Sequence, residues 1–539
     1  MAILNNFKKT ILFALPIVLA LLSMVFWTYV PIYPDEVAMH ISLGRYYQDS
    51  GVLAGLYQLC TSNYRLINYF FLLPASIISL LDLHLSFIGF RYISFSVPIL
   101  LIALTAYINL QSSKLYNLSS LIGFIGIAGS GLILARYELF QLINIFVCVL
   151  SYAYLMGYKN KKIYDLILLL LLTITALFSI YAHIQGLLFL PLTFYCFFRI
   201  FCTFVKPKIS VLISLCLFLL FIYYGIKFQN FNCQEYPEIV SFIKKMGINI
   251  SDISIFYFFE SLITKFDIYI SSFLYHQSFP VNYIPGIPVD SLEKFTKINF
   301  IISFMVLINI LISVSITLFY AYKAINIFFT KKNNFPSKNL SYQHISFLLI
   351  SPAILLLIYD PILNFYRVIF LNFLLGIGIS IFFSRITLPI VVSSIVKIYW
   401  VILGGVILIC SIVNFSLFTP KFLPPVSFAG PSISIFTNWS RLNEDINHLA
   451  AQCGVDFSRG GVVVDDLTYS GLKGFPSIYP ITYLALQAEI LSVPSDVVVA
   501  KLKPNFVLAR CGYMEGTKIG LPFTAKSGEL CCHNFALDK

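Results

Sequence analysis

Long apolar runs recur along most of the chain and are separated by short polar segments. The first covers residues 11–30, and further runs centre near residues 74, 101, 126, 147, 172, 195, 218, 310, 352, 376 and 405. A helix needs about 20 apolar residues to cross the hydrocarbon core of a bilayer. The pattern therefore predicts a polytopic α-helical membrane protein whose transmembrane domain occupies residues 1–417.

The composition agrees with this pattern. Hydrophobic residues make up 59% of the chain and charged residues only 11%, whereas soluble domains carry about 25% charged residues. The formal net charge of +12 would suggest nucleic acid in a soluble protein. In a membrane protein it is explained by Lys and Arg in cytoplasmic loops, so we expect a bilayer and no nucleic acid as partners.

The basic loops fix the predicted orientation. Lys8 and Lys9 precede the first run, which is too long for a signal peptide and predicts a retained span that starts in the cytoplasm. If every run crossed the membrane, three lysine-rich loops, near residues 159–162, 206–208 and 331–338, would face outside and break the positive-inside rule.

One short run resolves this conflict. Residues 66–81 include a proline, and we predict that they form a juxtamembrane helix along the outer interface instead of a span. All three basic loops then join the N-terminus in the cytoplasm. The expected count becomes about eleven spans, with juxtamembrane structure in the first outer loop, residues 31–91.

The predicted topology gathers ionisable residues at the outer ends of the spans. Such residues are costly at membrane depth and are candidates for function, although span ends are also where ordinary solvated charges lie. A second outer segment, residues 228–297, is long and aromatic, which predicts a lid or interfacial helices. The outer polar residues are Asp35, Glu36, Arg65, Arg91, Arg136, Glu138, His183, Asp360 and Arg367.

The composition changes after residue 417, where a proline-rich linker begins. Helical patterns over residues 441–451 and 481–491 alternate with strand patterns over residues 461–465 and 505–510. This alternation predicts a small C-terminal α/β domain, residues 418–539, outside the membrane on its outer face. Asp465 and Asp466 follow a strand there, where a turn is the ordinary explanation and a metal or sugar ligand the alternative.

Four cysteines lie in this C-terminal segment: Cys453, Cys511, Cys531 and Cys532. No pair has zinc-finger spacing. In an oxidising compartment we expect one or two disulfides. Cys531 and Cys532 are not expected to pair with each other, because a disulfide between adjacent residues is strained.

Four polar motifs follow one another along the first 200 residues. Asp35-Glu36 comes directly after the first span, and residues 90–94, 135–138 and 183–187 each lie at the start of a later apolar run. Their order and spacing resemble the GT-C family of membrane glycosyltransferases, which includes the lipid A aminoarabinose transferases and the protein O-mannosyltransferases. The corresponding family segments are Asp-Glu, Arg-Leu-x-Ser, Ala-Arg-Pro-Glu and His-x-x-Gly. The resemblance covers residues 10–200 and continues beyond them only as hydropathy.

The resemblance implies a GT-C-like fold and a glycosyltransferase. The enzyme would move a sugar from a polyprenyl-phosphate donor to a lipid, glycan or protein acceptor on the outer face of a bacterial-type inner membrane, with inversion. It implies that Asp35 is the catalytic base. Glu36 would orient the acceptor or Asp35, or would be a solvated neighbour.

The chemistry of such a transfer fits the other candidates. An acceptor hydroxyl needs a base, and a departing phosphate needs cations, which Arg supplies through bidentate contacts. Arg91 is the first phosphate candidate, with an interface anchor as the alternative. Glu138 and His183 are candidates for substrate binding, whose alternatives are an ion pair with Arg136 and an ordinary interfacial histidine. The remaining substrate-binding candidates are Arg45, Arg65, Arg136 and Arg367. No cofactor is indicated with certainty, a divalent cation is left open, and no metal ligands are assigned.

Two rival functions remain. A lipid or polysaccharide transporter or flippase would cross the same membrane without catalysing transfer, but internal repeats and broken midplane helices are not visible in the sequence. A polysaccharide polymerase or ligase would also be an enzyme, but one not built around the Asp35-Glu36 loop.

Overall fold

The structure is a computed structural model that describes residues 87–111, 138–157, 162–182, 184–231, 310–320, 338–359, 365–383, 439–456, 461–464, 478–480, 504–511, 522–528 and 530–535, with the isolated positions 18, 21, 22, 260, 261, 263, 264, 308, 322, 394 and 468. The apolar runs near residues 74, 126 and 405 lie outside these residues, as do the predicted juxtamembrane helix and the predicted helix over residues 481–491.

Apolar helices make up most of the described chain. Three of them contain windows that are long and apolar enough to cross a membrane: Glu138–Leu155, Lys162–Ile180 and Pro207–Tyr224. At this level the prediction of a polytopic helical membrane protein is confirmed. The helices are α1 (Phe87–Gln111), α2 (Glu138–Gly157), α3 (Lys162–Ala182), a 3-10 helix (Ile184–Phe189), α4 (Leu190–Phe201), α5 (Pro207–Phe231), α6 (Lys338–Tyr359) and α7 (Phe365–Phe383).

The run near residue 195 is not one uniform helix. It begins as the 3-10 helix Ile184–Phe189 and becomes α-helical at Leu190. A proline in the first turn of α4 explains the change, because proline is accepted at a helix start and cannot donate an internal hydrogen bond. The interruption lies at one end of the helix bundle and not at its midplane.

Ring and hydrogen-bond contacts show that α2 and α3 are antiparallel. The Phe140 and Phe178 rings lie 6.2 Å apart at one end of the pair. The Tyr154 and Tyr164 rings lie 6.1 Å apart at the other end. The end of α3 therefore lies beside the start of α2.

Further contacts orient the remaining helices. Thr203, between α4 and α5, donates to Asp165 in the first turn of α3 over 3.0 Å. The Tyr195 hydroxyl of α4 lies 3.3 Å from His344 Nδ1, near the start of α6. The starts of α3, α5 and α6 consequently share one end of the bundle, here named the basic end and defined by Lys162, Lys206, Lys208 and Lys338.

The sharing of one end agrees with the positive-inside argument, because the described parts of all three predicted cytoplasmic loops meet there. A cysteine introduced at Lys161 should therefore be protected from an impermeant thiol reagent in intact cells. Cysteines introduced at Asp35 should react, since the first outer loop is predicted to face the opposite side. Equal labelling of the two positions would contradict the assigned topology.

The interior of the bundle is tightly packed and contains a polar network. Asn144 donates to Thr193 Oγ1 over 3.0 Å, and its Oδ1 lies 3.2 Å from Thr175 Oγ1. These three buried side chains link α2, α3 and α4. Hydrogen bonds between such groups at helix contacts in a membrane stabilise packing by about 0.6 kcal/mol each on average and by about 1.7 kcal/mol at most.

The C-terminal segment forms a small mixed sheet with a helix against it. The elements are α8 (Trp439–Cys453), β1 (Val462–Val464), β2 (Ile478–Pro480), β3 (Phe506–Arg510), β4 (Ala525–Ser527) and β5 (Leu530–Asn534). The strand order is β2-β1-β3-β5-β4. β1 pairs in parallel with β2 and β3, whereas β5 is antiparallel to β3 and β4. The predicted helix near residues 441–451 and the strands near 461–465 and 505–510 are confirmed.

Two disulfides join this unit, one on each face of β5. The side chains of consecutive strand residues point to opposite faces of the sheet, so Cys531 and Cys532 form disulfides on opposite faces. Cys532 bonds to Cys453 of α8, and Cys531 bonds to Cys511 directly after β3. The expectation of one or two disulfides, with no bond between the adjacent cysteines, is confirmed.

These pairings make a direct prediction. Non-reducing peptide mapping of the purified protein should recover one linked pair containing Cys453 and Cys532 and another containing Cys511 and Cys531. Both should disappear on reduction. Free thiols at these positions would contradict the two disulfides. A Cys453–Cys531 pair would contradict the pairing of β3 with β5, in which Ala509 lies opposite Cys531.

Candidate functional site

Charged side chains of the described helices are buried at the end of the bundle opposite the basic end. Glu138 is the first residue of α2, and Arg367 is in the first turn of α7. Both are buried, and both interact with other residues, so neither is an isolated charge. Burial of an ionisable group at a span end is expensive unless it is paired or used.

The α2–α3 hairpin brings together two motifs that are distant in the sequence. Glu138 ends the motif at residues 135–138, and the 3-10 helix carries most of the motif at residues 183–187. Because α3 returns to the start of α2, the described parts of the two motifs, Glu138 and residues 184–187, lie at the same end of the bundle. Their separation of about 45 residues in sequence follows from one hairpin of transmembrane length.

A glycine permits the close contact at this junction. A Cβ placed on Gly186 would come within 2.4 Å of the Ser179 carbonyl oxygen. No side chain fits there, so the 3-10 helix passes directly against the last turn of α3 only because residue 186 is glycine. The glycine of the 183–187 motif therefore has a structural function.

The start of α7 reaches the same place. The Phe370 ring lies 6.4 Å from the ring of Phe189, at the end of the 3-10 helix. Arg367 is one turn before Phe370 and so lies toward this end of the bundle. The buried side chain of Arg367 and the motif containing Gly186 are thereby brought to one region from positions about 180 residues apart.

Arg91 is completely buried in α1, which packs against both α2 and α7. A buried guanidinium in a membrane bundle must be compensated, and Arg91 does interact with other residues. The positive-inside topology predicts that α1 runs in the same direction as α2 and α7. In that orientation Arg91 lies at the same end as Glu138 and Arg367.

Ser261, from the segment predicted to be a long outer loop, touches this end as well. Ser261 donates its hydroxyl hydrogen to the carbonyl oxygen of Ile358, at the last turn of α6. Since α6 starts at the basic end, Ile358 lies at the opposite end. Ser261 therefore lies at the same end of the bundle as the candidate site.

The other predicted site residues, Asp35, Glu36, Arg45, Arg65, Arg136 and His183, lie outside the described residues, so their assignments stay predictions. Among the described residues no group of three His, Cys, Asp or Glu side chains could hold a metal ion.

The sequence reasoning missed Gln141, a completely buried residue one turn beyond Glu138. The three-residue spacing of Glu138, Gln141 and Asn144 within an apolar run was the signal that marks it.

No protein-family model and no curated protein matches the chain. Among solved structures, the chain is similar to ArnT from Cupriavidus metallidurans, a structure in which that protein is bound to undecaprenyl phosphate. The comparison covers 97% of this chain and 97% of that chain, with 10% sequence identity and a TM-score of 0.44.

Proposed function

We propose that this protein is a GT-C-like membrane glycosyltransferase that moves a sugar from a polyprenyl-phosphate donor to an acceptor on the outer face of an inner membrane. The observation that carries the proposal is the meeting of Glu138, the 3-10 helix and Arg367 at the end of the bundle opposite the lysines. The sequence motifs and the packing of the helices thus indicate the same end of the bundle.

The residue types suit the two needs of the reaction, which are to bind the negative donor phosphate and to remove the proton of the acceptor hydroxyl. Arg91 and Arg367 are permanently charged, and their planar guanidinium groups match the oxygens of a phosphate. They would hold the donor phosphate and stabilise the polyprenyl phosphate that leaves. Asp35, in the first outer loop, would remove the proton of the acceptor hydroxyl as this oxygen attacks the anomeric carbon.

The C-terminal unit supports the same sidedness. Disulfides persist in oxidising compartments and are rare in the cytosol. The two disulfides of the unit of residues 418–539 support a place on the outer side, where the proposed transfer occurs. We propose that it is a periplasmic or extracellular domain beside the catalytic end.

The proposal is tested by reconstituting the purified full chain in liposomes with undecaprenyl-phosphate sugars and a lipid and glycan extract. Mass spectrometry should detect free undecaprenyl phosphate together with acceptor molecules that have gained the mass of one sugar residue. Donor that crosses the bilayer chemically unchanged, with no mass gain in any acceptor, would instead support the transporter.

A further inference from the structure

Gln141 is a buried amide without a hydrogen-bond partner in the described part of the chain. It has 0% exposure, and neither its Nε2 nor its Oε1 is hydrogen-bonded there. Burial of an unpaired amide among apolar helices carries a large free-energy cost. A bound ligand is one way to supply the missing partners of such a group.

The register of the α2–α3 pair gives the position of Gln141. Phe140 lies beside Phe178, and Asn144 lies beside Thr175. Gln141 falls between these two levels, one turn inside Glu138. It is three residues from Asn144, so it projects toward a similar face of α2 and extends the polar network outward, toward the candidate site.

Ser179 provides a second unpaired group beside this position. Its side chain is buried, and its Oγ has no hydrogen-bond partner among the described residues. Ser179 is four residues beyond Thr175 and therefore lies on the same face of α3. The Cβ position of Gly186 is only 2.8 Å from Ser179 Oγ, so the 3-10 helix closes one side of the pair.

The two side chains have a common chemistry. An amide and a hydroxyl each donate and accept hydrogen bonds, and neither carries charge. A phosphate is a poor match, because it only accepts hydrogen bonds and would leave the acceptor oxygens of the amide and the hydroxyl unpaired. Hydroxyl groups, which also donate and accept, fit both partners.

We propose that Gln141 and Ser179 form a subsite for the hydroxyl groups of the transferred sugar and thereby determine which sugar the enzyme accepts. This inference rests on the function proposed above. The sugar is bonded to the donor phosphate, and the buried Arg367 reaches the same end of the bundle. Helical side chains tilt toward the N-terminus of their helix, and the N-terminus of α2 is the Glu138 end.

The test compares kcat/KM for undecaprenyl-phosphate mannose, glucose, galactose and arabinose, and for the monodeoxy analogues of the best substrate. Wild-type protein should disfavour at least one deoxy analogue by about tenfold, because a lost hydroxyl leaves Gln141 or Ser179 unpaired. Gln141→Leu and Ser179→Ala should lower that preference to about twofold or less. An unchanged preference in both variants would overturn the subsite.

Ser214→Ala is the matched control. Ser214 is also buried, and its hydroxyl also lacks a partner in the described residues, but it lies in α5 near the basic end. It should leave the preference among sugars unchanged. The same shift in Ser214→Ala as in Ser179→Ala would assign the effect to general packing and would overturn the subsite.

A second measurement does not depend on activity. Without donor, Gln141→Leu should raise Tm by about 1–3 °C, since it removes a buried amide that the resting protein leaves unpaired. Donor should raise the Tm of wild type more than that of the variant. A lower Tm in Gln141→Leu, or an equal donor effect, would overturn the inference. If wild type forms no product, the proposed function fails, whereas the Tm values still show whether Gln141 contacts the sugar of the bound donor.

Discussion

Asp35→Asn should reduce sugar transfer by about a hundredfold to ten-thousandfold, the range that general-base catalysis contributes. The substitution keeps the shape of the side chain and removes its ability to accept the acceptor proton. The protein should still fold and should bind the donor with unchanged affinity. Steady-state transfer and donor binding, measured on the same reconstituted preparation, separate the two effects.

The control for this prediction is Asp165→Asn. Asp165 is a buried carboxylate at the basic end, where Thr203 donates to it. Its amide counterpart retains an acceptor oxygen for Thr203, and turnover should remain near that of wild type. Wild-type turnover in Asp35→Asn would remove this residue from the mechanism.

Arg91→Ala should weaken binding of undecaprenyl phosphate by about tenfold to a hundredfold, the effect of losing a charged hydrogen-bonding group. The rate of transfer should fall as well, because the proposed contact of Arg91 to phosphate would persist in the transition state. Binding can be measured by titration of the detergent-solubilised protein with a fluorescent polyprenyl phosphate.

Two further variants distinguish binding from folding. Arg91 is buried, so its removal can also destabilise the bundle by leaving its partners uncompensated. Arg91→Lys keeps the charge and loses the planar fork, and it should show weakened binding in a normally folded protein. Arg199→Ala changes an arginine in the last turn of α4, at the basic end, and should not affect binding. Equal losses in Arg91→Lys and Arg199→Ala would contradict a phosphate contact.

The apolar runs predicted the helices well where length and hydropathy decide the structure. The helices around residues 101, 147, 172, 218, 352 and 376 all occur at the predicted places. The interruption before Leu190 was not predicted. The proline in the first turn of α4 accounts for where that helix starts, whereas the packing of the preceding 3-10 helix depends on the close contact between Gly186 and Ser179, which forms only when α3 is in place.

Among the C-terminal strands, too, some were predicted from the sequence and others were missed. β1 was predicted because three consecutive valines form a buried strand with strong β propensity. β5 was missed, since its sequence Leu-Cys-Cys-His-Asn has no alternation of apolar and polar residues. Its position depends on two disulfides and on pairing with β3, which are long-range features.

The charge pattern predicted that polar residues would gather at one end of the bundle. For Glu138 and Arg367 the contacts of α2, α3 and α7 agree with that expectation. Gln141 could not be recognised as unpaired from the sequence, because whether a buried amide finds a partner depends on the facing helices. The order of Glu138, Gln141 and Asn144 indicates only that one face of α2 is polar.

The most direct test of the central claim is the anomeric configuration of the product. Purified, reconstituted protein is given an undecaprenyl-phosphate sugar labelled with ¹³C at the anomeric carbon, and NMR is recorded on the product. Direct attack by an acceptor hydroxyl activated by Asp35 predicts a new glycosidic bond of inverted configuration. Retention would require a covalent glycosyl-enzyme and a carboxylate nucleophile. Retained configuration, or label found only in unchanged donor, would contradict this account.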